Sequence, residues 1–140
     1  MAVQFKTTRE QQEHEDAPQA LRFVAHEFIK LSNEAGIIPV VTRLLRPVAG
    51  ESGVHLDYRA IDFRDEMGVG GVRLYTHDLA EEIVKKMNSK FTRRDKYLVC
   101  IHHAFVSHAS TNSSRAPYHF HIQIPQYAKN EIPDEWLVNA

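Results

Sequence analysis

The chain lacks most of the features that assign a sequence quickly. It holds one cysteine in 140 residues, so no disulfide can form within it. That residue, Cys100, lies in the apolar run Tyr97-Leu98-Val99-Cys100-Ile101 and reads as a buried core thiol rather than a reactive one. Neither sign of charge is in surplus: 17 Lys+Arg stand against 18 Asp+Glu, a net charge of -1. No broad field for nucleic acid or an anionic membrane follows from that balance, and neither is expected as a partner. No stretch approaches the roughly 18 apolar residues of a membrane span, so membrane insertion is not expected. Met1 to Asp16 is polar, without the apolar centre of a signal peptide. The expectation is a chain that is cytoplasmic at synthesis, with no export signal of its own. Internal repeats and low-complexity segments are also missing.

What is present fits one domain over residues 1–140, with a polar segment at 1–16 and a tail at 125–140. At 43% hydrophobic and 25% charged residues, the composition can fill a core. Asp16 can cap a helix whose first turn holds Pro18, and Leu21, Val24, Phe28 and Leu31 give that helix one apolar face up to about Gly36. Ile37 to Val41 predicts a strand or extended segment, followed by a loop with Gly50 and Gly53. Arg59 to Phe63 predicts a second strand. Asp78 with Glu81 resembles a capping box opening another helix, whose face is Leu79, Ile83, Val84 and Met87. Lys96 to Phe105 and Tyr118 to Ile124 predict two further strands. The pattern implies an α+β fold, with helices covering one face of a mainly antiparallel sheet.

Histidine is abundant: nine in all, five of them between His102 and His121. On a strand, residues two apart face the same side, so His119 and His121 converge on one face and Phe120 and Ile122 on the other. Upstream, His55 ends a glycine-containing loop and Asp62 lies within a predicted strand. An ionised carboxylate on a half-buried strand needs a partner. A divalent cation held by His55, Asp62 and His121 would supply one. Two imidazoles and a carboxylate suit zinc, one ion per chain, and leave a fourth position open as catalytic zinc requires. The alternative is an ordinary ion pair of Asp62 with Arg43 or Arg59.

The spacing His-x6-Asp followed later by His-x-His resembles the zinc peptidases that cut peptidoglycan stem peptides and cross-links. These include D-alanyl-D-alanine carboxypeptidases, phage L-alanyl-D-glutamate endolysins and penicillin-insensitive murein endopeptidases, whose core recurs in the hedgehog signalling domain. The family's first motif runs roughly Ser-x-His-x-x-Gly-x-Ala-x-Asp, and His55, Ala60 and Asp62 match it in register. The likeness spans about residues 38 to 124. It implies the hedgehog/DD-peptidase fold and a peptidoglycan peptide as substrate. It also implies a substrate-binding arginine at Arg46, on the turn after Thr42. Departures are plain. Tyr58 stands at the glycine, Gly53 at the serine, and no acid lies between Lys96 and Gln126 to supply the glutamate that many relatives place three residues before the last histidine. The murein endopeptidase branch carries His-x-His instead, which assigns the catalytic proton transfer to His119. A wall peptidase of this kind without a signal peptide implies a phage or prophage lysis protein, released through holin pores or carried in the virion.

The His102–His103 pair sits on the neighbouring predicted strand. One of the two can support the site from behind or assist catalysis; alternatively both are structural or solvated. His108 reads as a loop residue able to close over the site, and His14, His26 and His77 as surface residues. Tyr58, Tyr118 and Trp136 can line a groove or pack in the core. Two other readings differ in class. A zinc-containing binding or virion module of the same fold needs no catalysis. A histidine-triad nucleotide hydrolase or transferase needs phosphate-binding glycines, where this chain has Ser113-Ser114-Arg115-Ala116-Pro117. Cupins also use His-x-His, but expect a glutamate where Pro125 and Gln126 stand.

Overall fold

The computed structural model describes residues 1–45, 54–55, 57–103 and 117–138. Arg46, His108 and the loop glycines Gly50 and Gly53 lie outside the described residues. Helix α1 (Thr8–Asp16) follows a two-residue strand β1 (Gln4–Phe5), and α2 (Gln19–Glu34) follows α1. Strands β2 (Val40–Arg43) and β3 (Ala60–Arg64) precede α3 (His77–Lys90). Then come β4 (Cys100–His103), β5 (His119–Gln123), a 3-10 turn (Gln126–Ala128) and a short helix α4 (Asp134–Leu137).

The fold is α+β with one five-stranded sheet in the order β1-β2-β3-β5-β4. The sheet is mixed, which corrects the mainly antiparallel expectation: β1 runs parallel to β2, while β2–β3, β3–β5 and β5–β4 are antiparallel. The parallel strand comes from the polar N-terminal segment, whose two paired residues carry no readable period. That segment continues as a real helix because Thr7 caps it, its hydroxyl accepting from the Arg9 N–H at 3.2 Å.

Helix caps also fall elsewhere than expected. Asp16 closes α1, and Pro18 stands at the N-cap of α2, fixing the backbone there without a side-chain bond. Thr76, not Asp78, caps α3 by accepting from the Leu79 N–H at 3.2 Å.

The predicted apolar periods build the core. Leu21, Val24, Ala25, Phe28 and Ile29 form the buried stripe of α2. Phe28 packs on Phe63 of β3 and Phe120 of β5, with ring centroids 4.4 Å and 4.9 Å away. Their chain neighbours, Asp62 before Phe63 and His121 after Phe120, must therefore project from the opposite face. Cys100 is fully buried, and burial pushes its thiol pKa far up, so it is a core group. Asn88 of α3 closes the edge of β4 by donating to the Cys100 carbonyl and accepting from its N–H, both at 2.9 Å. Trp136 is fully buried as well, its indole N–H donating to Thr92 O at 2.7 Å, so the end of the chain is stitched to the core.

Candidate metal centre

Register brings the carboxylate and the last histidine together. In the antiparallel β3–β5 ladder, Asp62 stands opposite His121 and Ala60 opposite Gln123, while Arg64 faces His119. On the far side of β5, Ile101 faces His121 and His103 faces His119. One face of the sheet thus carries Asp62, His121, Gln123, His119 and His103.

His55 arrives from the loop before β3. Its approach is set by a tight chain reversal. The Arg59 N–H donates to Val54 O at 2.8 Å and the Tyr58 N–H to His55 O at 3.1 Å. Tyr58 is left-handed between them, at φ 60°. These nested bonds around a left-handed residue are the closure usually made with glycine. Tyr58 is held there by its hydroxyl, which donates to the Glu13 carbonyl of α1, and by partial burial against the core.

Nε2 of His55, a carboxylate oxygen of Asp62 and Nδ1 of His121 belong to a group whose ligand atoms all lie within 4.8 Å of one another. His55 is 1% exposed and Asp62 4%. The far side of each is already bonded. The His55 Nδ1–H donates to Leu44 O at 2.7 Å, which leaves Nε2 as a lone pair. That buried Nε2 has no hydrogen-bond partner among the described residues, yet lies 3.3 Å from Asp62 Oδ1. His121 repeats the arrangement. Gln123 donates its amide to Leu98 O at 2.9 Å, so its own carbonyl oxygen must face His121 Nε2, 3.1 Å away. The His121 Nε2–H donates there, and Nδ1 points at Asp62 Oδ1 at 2.9 Å.

Two imidazole lone pairs and a carboxylate oxygen converging in a buried space repel one another unless a positive charge lies among them. A proton on His121 meets part of that need. Burial opposes charge on this ring, but Asp62 outweighs burial and raises its pKa. For Asp62 too, burial pushes the pKa up, and the hydrogen bond with a protonated His121 is foremost in holding it well below the ordinary carboxylate range. The orphaned Nε2 of His55 is still unmatched by that proton. The donor set, with a backbone carbonyl and a side-chain amide orienting the two imidazoles, fits a divalent metal ion.

The ion-pair alternative for Asp62 also materialises, on its other oxygen. Arg43 Nη2 lies 2.8 Å from Oδ2, while Arg59 pairs with Asp57. A register shift in β2 brings this about: Val41 pairs with Phe63, yet Arg43 rather than Thr42 pairs with Asp62. Such a bulge re-aims a side chain. It was not legible in the sequence, and neither was Leu44 O. Gln123 does carry a signal in the sequence, since it lies two residues past His121 on the same strand face.

The remaining candidates divide. His119 is half-buried, its Nδ1–H donating to Pro117 O at 2.8 Å, which leaves Nε2 as an acceptor. The His103 ring lies 4.6 Å from that of His119 and 6.1 Å from that of His121. His102 faces away from the group. Its Nε2–H donates to Asp65 at 2.7 Å, beside Arg73, and its ring stacks on Tyr118. His14 is half-buried against Phe5, which corrects its surface reading; His26 and His77 are exposed.

The chain matches no protein-family model, no curated protein and no solved structure.

Proposed function

We propose that this protein is a zinc-dependent peptidase cutting the stem or cross-link peptides of peptidoglycan. The observation that carries the reading is the convergence of His55 Nε2, Asp62 and His121 Nδ1, each ligand oriented from behind by Leu44 O, Arg43 or Gln123. The left-handed Tyr58 supports it further, because the residue at the motif's glycine keeps the conformation for which glycine is suited.

Zinc, when bound, supplies a Lewis acid for the amide carbonyl and acidifies water. The chain's own residues do the rest. His119 offers Nε2 as the site that accepts a proton and returns it to the leaving amine, with Pro117 O holding the ring from the other side. Arg43 pairs with the outer oxygen of Asp62 and keeps the carboxylate aligned. Arg46, by its resemblance to the family arginine, holds a substrate carboxylate. No helix among the described residues is long and apolar enough to cross a membrane. The wall would then be reached after release through holin pores or from a virion.

A second reading, a zinc-containing binding or virion module without catalysis, is favoured by Tyr118 standing where many relatives carry glutamate. Zinc content of wild type and His121→Ala, with turbidity of purified peptidoglycan, decides between them. Clearing that needs zinc and is lost in the variant supports the peptidase. Zinc without clearing selects the module, and no zinc in wild type sinks both.

A further inference from the structure

Gln123 has a second environment. Besides holding His121, it lines a cleft of about 360 Å³ whose walls include Val54, Arg59, Arg93, Asp95 and Tyr97. Val54 immediately precedes the ligand His55. Gln123 is therefore shared between the cleft and the metal centre.

Its charge is unbalanced in one direction. Arg59 is paired with Asp57, which also takes Lys129, and Arg93 with Asp95. Of the residues that line the cleft, Arg59 and Arg93 stand against Asp95 alone, which leaves one positive charge, while Asp57 and Lys129 pair with each other beyond its walls. Arg93 is the more telling residue. Its side chain is 6% exposed, with Nη2 on Asp95 at 2.7 Å and Nη1 on Leu98 O at 3.5 Å. Its Nε is buried with no hydrogen-bond partner among the described residues. A guanidinium donor buried without an acceptor is costly, and an anionic oxygen is the acceptor that best relieves it. One net positive charge suits a carboxylate rather than a phosphate dianion.

We propose that this cleft is a carboxylate-binding subsite, with Arg93 as its principal donor and Arg59 as a second cationic wall. The ligand is the free carboxylate of a peptide whose amide bond lies at His55, Asp62 and His121. Only this last attribution rests on the peptidase reading.

The test is direct binding, read by ¹H–¹⁵N NMR on wild-type protein. The probes are an N-acetylated dipeptide with a free carboxylate, its C-terminal amide, and inorganic phosphate. The acid should move the Arg93 Nε–H resonance, identified by its loss in Arg93→Lys, and bind about tenfold more tightly than the amide. Arg93→Met should level the two affinities. Equal affinities in wild type, an unmoved resonance, or phosphate binding as well as the acid would each overturn the proposal. If Arg93→Met does not fold, the wild-type resonance decides alone. Acid preference without peptidoglycan clearing sinks the peptidase and spares the subsite; clearing without acid preference does the reverse.

Discussion

His121 stands directly across the β3–β5 ladder from Asp62, with Nδ1 2.9 Å from Oδ1, and the same carboxylate meets Arg43 through its other oxygen. The pair is thus poised between an ion-pair network and a metal site, and thermal stability separates the two. Zinc at about a hundredfold excess over its dissociation constant should stabilise the wild type by about 2.7 kcal/mol. A chelator should reverse the gain. Asp62→Asn should show no zinc response, because the amide is a poor ligand. A wild-type melting midpoint indifferent to both zinc and chelator would leave Asp62 as an ion-pair residue only.

Gln123 touches no ligand atom of the group, yet its carbonyl fixes which nitrogen of His121 is free. Gln123→Leu keeps all three ligands and removes that orientation. Zinc affinity, measured by competition with a chromogenic chelator, should fall about 10- to 100-fold. Gln123→Glu still accepts from His121 and should bind more tightly than Gln123→Leu. Equal affinities in all three proteins would mean that the strand alone orients the ring.

Acid should destabilise the protein through the partly buried His102, which lies against Asp65 on the opposite face. Burial lowers the His102 pKa, outweighing Asp65. A group with a depressed folded pKa contributes stability above its unfolded value, here 6.5, and loses it as pH falls through the folded one. For Asp65, burial pushes upward, but Arg73, the Tyr75 N–H and His102 lower its pKa below 3.8. Its contribution is lost in a second, more acidic window. His121 is raised and acts with the opposite sign, so the informative quantity is a difference between proteins. His102→Gln keeps an N–H for Asp65 and cannot titrate. Its melting midpoint should fall less than the wild-type midpoint between about pH 7 and about pH 5. Parallel curves would refute the assignment.

Periodicity was a good guide where one face is buried. Leu21, Val24 and Phe28 marked α2, and the alternation around Phe120 and Phe63 placed His121 and Asp62 on one opposing face. Parity likewise leaves His103, not His102, beside His119. What escaped the sequence is what period cannot encode. The bulge that swings Arg43 to Asp62 is one extra residue in a four-residue strand. The carbonyl of Leu44 is backbone. The strand β1 is two residues long, and the cap at Thr76 competes with an equally plausible acid two positions on. Tyr58 hid a glycine-like conformation behind a bulky side chain because its stabilising contact, Glu13, lies 45 residues away.

Phe28 tests how far the centre depends on the core beneath it. Its ring bridges Phe63 and Phe120, the residues that follow Asp62 and precede His121 in the chain. Phe28→Ala should cost about 3–5 kcal/mol of folding stability in denaturant titration, from lost burial and the cavity left behind. Zinc affinity of the folded variant should change much less, by under about tenfold, because the ligand pairing is fixed by the β3–β5 hydrogen-bond ladder and by bonds on the other face. A variant that folds but no longer takes up zinc would show instead that the aromatic wedge, rather than the ladder, holds Asp62 and His121 in register.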